Sequence, residues 1–178
     1  MAKKDSNYYV DNQKLLSCMK EHVEKVNDSS NELPRVSEYI GECIYLIAKG
    51  LANRPNFINY PFKEDMISDG IENSLRYINN FDPNKSSNPY GYFTQIIYFA
   101  FVRRIEREKK HLYTKYKMID QKLTHEISES EHLNVTKYGS EYADANMHEF
   151  ITKFESKQKE KKNVVKTEKS KSVFSNTD

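Results

Sequence analysis

The chain has 178 residues, a length for one domain with tails rather than two full domains. Hydrophobic residues are 37% and charged residues 30%, against ordinary shares of about 45–50% and about 25%, so one compact core is expected and part of the chain falls outside it. A net charge of +2 excludes a global field as the driver of nucleic-acid binding and leaves only local basic clusters for that role.

The first predicted helix covers residues 12–26, where Leu15, Leu16, Met19, Val23 and Val26 recur near the 3.6-residue period. Asp11 or Asn12 supplies its N-cap, and the polar run Asn27–Asn31 reads as a loop. The second helix covers residues 35–52. Val36, Ile40, Cys43, Ile44, Ile47 and Leu51 form one apolar stripe, Pro34 suits its first turn, and Pro55 stops it by pushing the preceding residue out of helical geometry.

A third helix is predicted over residues 63–80, with Ile67, Ile71, Leu75 and Ile78 on its buried side. Asp65, Asp69, Glu72 and Arg76 make a separate charged stripe. Phe81 then leads into a turn-rich run, Asp82–Asn88. The fourth helix covers residues 89–117, capped by Asn88 with Pro89 as first residue. Its first half is aromatic: Tyr90, Tyr92, Phe93, Tyr98, Phe99 and Phe101. Its second half is basic, with seven Lys/Arg against two Glu from Arg103 to Lys117. Beyond residue 120, Met147, Phe150, Ile151 and Phe154 predict a short amphipathic helix near 146–155. Lys153–Lys171 holds eight Lys and three Glu, a composition expected to stay disordered. The expected organisation is an all-α core over 1–120 and a weakly structured basic extension over 121–178.

Cys18 and Cys43 fall on apolar helix faces, the pattern of reduced, buried thiols in a cytosolic protein. The five histidines are scattered and none pairs with a cysteine at metal-ligand spacing. No apolar run approaches the roughly 20 residues of a membrane span, and MAKKDSNYY lacks the apolar core of a signal peptide. No glycine-rich phosphate loop or nucleophile–base grouping is recognisable, so a binding protein without metal or cofactor is expected rather than an enzyme.

Three features carry the functional reading. The stripe Asp65–Asp69–Glu72 is ordinarily a solvated helix face; the alternative is a docking surface, where complementary charge sets orientation and on-rate. On the fourth helix, Phe93, Ile96, Ile97, Ala100 and Ile105 fit an inward set, which turns Tyr92, Gln95, Tyr98 and Phe99 partly outward. Such rings either complete a core or stack on unpaired bases, at roughly 1–3 kcal/mol per base. The run Arg103, Arg104, Arg107, Lys109 and Lys110 continues the same helix and suits phosphate contacts.

The stretch EDMISDGIENSLRYINNFDPNKSSNPYGYFTQIIYFAFVRRIEREKK resembles the promoter-reading region 2 of bacterial sigma factors. Asp65, Ile67, Asp69, Gly70, Leu75 and Phe81 stand where that family has D-x-I-x-E/D-G-x-x-x-x-L and a following Phe. NYYVDNQKLL, YIGECIYLIAKGLANRPNF, EDMISDGIENSL, NFD, NPYGYFTQ and FVRRIEREKK, in this order over roughly residues 7–117, are similar to the late-transcription sigma factors of T-even-type bacteriophages. The resemblance implies a sigma region 2-like helical bundle working in the host cytoplasm. It implies docking on the coiled coil of the largest host polymerase subunit through Asp65, Ser68, Asp69, Glu72 and Leu75. It also implies capture of melted, A/T-rich promoter DNA through Phe81, Tyr92, Gln95, Ile96, Tyr98 and Phe99, with Arg103, Arg104 and Arg107 on the adjacent duplex. The family's tail docks on the replication sliding clamp; here KSVFSNTD offers Val173 and Phe174 as anchors. The chain departs from typical sigma factors in having no Trp: Gln95 and Ile96 occupy the places of the tryptophan wedge. The alternative function is a polymerase-binding adaptor that does not touch DNA. Burial of Tyr92, Tyr98 and Phe99, with Arg103 and Arg104 paired internally, would mark the adaptor.

Overall fold

The computed structural model describes residues 10–28, 34–129, 145–160 and 163. The fold is all-α: four helices, α1 (Asn12–Asp28), α2 (Glu38–Ala52), α3 (Lys63–Arg76) and α4 (Pro89–Glu129), with a 3₁₀ turn at Ile78–Asn80, then a helical segment α5 over residues 145–160. Among the described residues none is in a strand, and no helix is long and apolar enough to cross a membrane. The chain divides into two compact units, Met1–Glu106 and Arg107–Asp178, a division inside α4 where the sequence pattern suggested a boundary after residue 120.

In the first unit each helix begins where local chemistry starts it. Asp11 Oδ1 accepts from the backbone N–H of Gln13 (2.9 Å) and Lys14 (3.2 Å), so Asp11 rather than Asn12 caps α1. Asn12 instead accepts from the Tyr90 N–H across to α4 (3.1 Å). Ser37 Oγ caps α2 by accepting from Ile40 N–H (3.4 Å). The helix therefore starts at Glu38, and Pro34 lies outside it rather than in its first turn. Asn88 Oδ1 accepts from Gly91 N–H (3.0 Å), and Pro89 opens α4, where its missing N–H is harmless.

The buried stripe of α2 is Ile40, Cys43, Ile44, Ile47, Ala48 and Leu51. This helix packs on both α1 and α3. Leu15 and Met19 of α1, Met66 and Ile67 of α3, and Phe93, Ile97 and Phe101 of α4 join the same core. Each fully buried side chain of this size stabilises the fold by about 1.5–3 kcal/mol. Two features of α3 differ from the expected pattern. It ends at Arg76, and the 3₁₀ turn brings Ile78 and Phe81 into the core. Leu75 is 42% exposed rather than buried, because the face turned to the core is Met66, Ile67, Gly70 and Ser74. Gly70 is where α3 meets α4: a Cβ there would stand 3.0 Å from Ile97 Cγ2 and 3.1 Å from Phe101 Cε1, so only glycine leaves both neighbours in place. His22 is buried on α1, its Nε2 lying 3.0 Å from Asn79 Oδ1 in the 3₁₀ turn.

The described part of the second unit is a helix pair. α4 runs past the expected stop at 117 to Glu129, since no Gly or Pro occurs between Gly91 and Gly139 to end it. α5 lies antiparallel to it. Tyr113 stacks on Phe154 (4.6 Å between centroids), Tyr116 meets Phe150 edge-on (5.5 Å), Lys117 pairs with Glu155 (3.0 Å), and Asp120 faces His148 (3.7 Å). Met147 and Ile151 are buried. Residues 153–160, expected to be disordered, form the last two turns of α5. Phe154 and Glu155 secure them, supplying apolar contact and an ion pair that composition alone does not reveal. Residues 161–162 and 164–178, with Val173 and Phe174, lie outside the described residues.

Candidate functional site

The outward face of α4 carries the aromatic residues that the sequence singled out. Tyr98 is 43% and Phe99 49% exposed, and their rings meet edge-on at 5.6 Å. Gln95 is exposed beside them, Ile96 is half-buried, and Arg103 is exposed one helical turn beyond Phe99. The reason is periodicity. Phe93, Ile97, Ala100, Phe101 and Ile105 take the core side, and the six aromatics from Tyr90 to Phe101 exceed what one stripe can bury. Tyr98 also leans on Phe57 (5.8 Å), the loop residue that wedges against Phe101 (5.2 Å). This holds the Tyr98 ring in place while leaving part of its surface open.

Two of the expected base-stacking residues are placed otherwise. Phe81 is 3% exposed: the 3₁₀ turn folds it inward, where it packs against the Tyr92 ring at 5.2 Å. Phe81 therefore offers no face to a base, which corrects the expectation for it. Tyr92 is half-buried. Its hydroxyl donates to the Tyr77 carbonyl (2.6 Å), and burial pushes its phenol above the ordinary value. It braces the 3₁₀ turn against α4, with its ring packed beside those of Phe81 and Phe93.

The charged residues are drawn together more than the sequence suggested. Arg104 Nη2 lies 2.9 Å from Asp65 Oδ2, and Nη1 lies 3.5 Å from Asp69 Oδ2. The Arg104 side chain is only 17% exposed. Glu72 pairs with Arg76 at 2.6 Å, both in solvent. Arg103 Nη2 donates to Asn73 Oδ1 (3.0 Å), and Asn73 Nδ2 in turn donates to the Asp69 carbonyl (2.7 Å). The acidic stripe is thus not a bare negative face: Asp65, Asp69 and Glu72 each have a cation. Ser68 and Leu75 are exposed on the same helix. Arg107, the first residue of the second unit, is exposed.

Sequence reasoning missed the pairing of Arg104, although a signal was present. Phe93, Ile97, Phe101, Arg104 and Ile105 follow one helical stripe, so position 104 falls on the core side, where an arginine needs a carboxylate partner. The exposed Tyr77, 43% accessible at the end of α3, was also missed; nothing in its local sequence separates it from a core tyrosine. No protein-family model matches the chain, and no curated protein matches it.

Proposed function

We propose that this chain is a sigma factor of the phage late-transcription kind: it binds the host core polymerase and holds open a short A/T-rich promoter element, acting in the host cytoplasm. The observation that carries the reading is the pair of exposed rings, Tyr98 and Phe99, on the outer face of α4, with Gln95 before them and Arg103 one turn after. The ordered blocks over residues 7–117 that resemble this family supply the rest. In the proposed mechanism, thermal opening begins at A/T-rich DNA, where unstacking costs least. Phe99 and Tyr98 then stack on exposed bases, and Arg103 contacts a phosphate of the neighbouring duplex. Because the rings bind bases only once these are unpaired, the open state is favoured by differential affinity. The exposed Ser68, Glu72 and Leu75, with the outer edge of Asp65, form the polymerase-docking face.

The test is capture of host polymerase core by the purified chain, followed by transcription from an A/T-rich box. Absence of core binding removes the reading. A second reading, an adaptor that binds polymerase without contacting DNA, is favoured by one observation: Arg104 is closed onto Asp65 and Asp69 rather than open to phosphate. Core binding with no change in promoter opening on Phe99→Ala would select the adaptor.

A further inference from the structure

We infer that Tyr77 is a further base-stacking residue, and that the surface for single-stranded DNA extends from α4 onto the last turn of α3. The inference deepens the proposed function and rests on it for the kind of strand bound. All the residues concerned lie in the first unit.

Two hydrogen bonds fasten the end of α3 beside one face of α4. Asn73 Oδ1 accepts from Arg103 Nη2 (3.0 Å), and the Tyr77 carbonyl accepts from the Tyr92 hydroxyl (2.6 Å). Asn73 and Tyr77 are four residues apart. The Tyr77 N–H still donates to the Asn73 carbonyl (3.1 Å), so both residues keep the same side of α3. On α4, Tyr92, Ile96, Phe99 and Arg103 follow one another at four, three and four residues, the spacing of a single helix face. The fastenings hold the two ends of this row, at Tyr92 and Arg103. Ile96 and Phe99 lie between them, and α3 borders the row with Asn73 and Tyr77.

Along this border Tyr77 is 43% and Phe99 49% exposed, and Ile96 in the same row is half-buried. Gly70 and Ser74, on the same side of α3 as Tyr77, are buried, so an open tyrosine one turn later is the exception on this face. Among the described residues no other ring packs on Tyr77.

The placement favours a base over a polymerase contact. Ser68, Glu72 and Leu75 share one face of α3, at spacings of four and three. Tyr77 comes two residues after Leu75 and so stands about 200° round the helix from it, on the side that meets α4. An aromatic ring stacks on any unpaired base, whereas the bases of a duplex are already stacked on one another. Exposed Arg103 closes the row with a charge suited to the strand's backbone.

The experiment titrates the full chain into a fluorescent A/T-rich single strand and into the matching duplex, with anisotropy as the readout. Tyr77→Ala is expected to weaken single-strand binding about tenfold, the loss of one base–aromatic stack, and to leave duplex binding unchanged. Tyr77→Phe keeps the ring and should keep wild-type affinity. Tyr77→Leu keeps an apolar side chain without a ring and should lose as much as the alanine variant. Every variant retains the backbone carbonyl that holds Tyr92, so circular dichroism should stay that of the wild type. The control Tyr45→Ala removes a ring of similar exposure, 45%, from α2 and should bind as the wild type does. Wild-type strand affinity in Tyr77→Ala overturns the inference, as does equal weakening by Tyr45→Ala or an equal loss on the duplex. Loss of polymerase-core capture by Tyr77→Ala with strand binding intact overturns it too, in favour of a protein contact. The proposed function is read separately: core capture by the wild-type chain, with strand affinity lost in Phe99→Ala but not in Tyr77→Ala, would keep that function and remove only Tyr77 from it.

Discussion

Arg104 Nη2 sits 2.9 Å from Asp65 Oδ2, joining α4 to α3. The resemblance assigns these residues to different partners, Asp65 to polymerase and Arg104 to DNA, yet in the folded chain they satisfy each other. With Asp69 also in reach and the arginine 17% exposed, the ion pair sits in a partly desolvated setting, where losing one member costs more than breaking a surface pair.

Arg104→Ala is accordingly expected to lower stability by about 1–3 kcal/mol, because Asp69 is left half-buried without its cation. Arg103→Ala, which loses only an exposed hydrogen bond to Asn73, should stay within about 0.5 kcal/mol of the wild type. Urea unfolding monitored by circular dichroism separates the two. Under the proposed function, Arg103→Ala should nevertheless reduce promoter opening while core binding is retained.

The outer and inner aromatic positions of α4 should respond in opposite ways. Phe93 is fully buried, and Phe93→Ala is expected to cost about 3–5 kcal/mol. Phe99→Ala should cost less than about 1 kcal/mol of stability, yet weaken binding to an A/T-rich single strand by about tenfold, the size of one base–aromatic stack of roughly 1–3 kcal/mol. Thermal melts and single-strand anisotropy on the same two variants check both halves.

Gly70→Val should destabilise the first unit. A Cβ at this site already meets Ile97 and Phe101 at 3.0 and 3.1 Å, and both neighbours are fully buried, so the larger side chain has nowhere to relax. The expected loss is about 1–3 kcal/mol, read as a lower urea midpoint with unchanged slope.

An alkaline limit is built into the packing of α1 with α2. Burial, followed by hydrogen bonding to Cys43, pushes the Tyr39 hydroxyl up to about 12, and burial also raises the Cys43 thiol. Both groups are acids held neutral in the folded state. Their stabilisation is therefore complete below the unfolded values and lost as pH rises, for Tyr39 across the window from 10.0 to about 12. Tyr39→Phe should flatten the fall in stability over that window. Thiol labelling at neutral pH should modify half-buried Cys18 before buried Cys43.

Much of the fold was legible because helices report themselves through a local period. Leu15 and Met19 on α1, the stripe from Ile40 to Leu51 on α2, and the Asn88–Pro89 start of α4 needed only neighbouring residues to be read. Boundaries decided by missing local signals were less legible. α4 continued past 117 because nothing stopped it, and residues 153–160 became helical only through Phe154 and Glu155 reaching Tyr113 and Lys117. Of the candidate site, the outward turn of Gln95, Tyr98 and Phe99 followed from an overfull aromatic stripe. The burial of Phe81 depended on a 3₁₀ turn that a continuous helix to residue 80 had concealed.

By itself the sequence determined which helices form and which faces of them are apolar, because both depend on side chains within a turn or two. Only the tertiary structure decided which charges remain available. Ion pairing depends on where two helices cross: Arg104 was claimed by carboxylates almost forty residues earlier, while Glu155 was carried to Lys117. Such encounters follow from packing geometry across the core, which no local pattern of residues encodes.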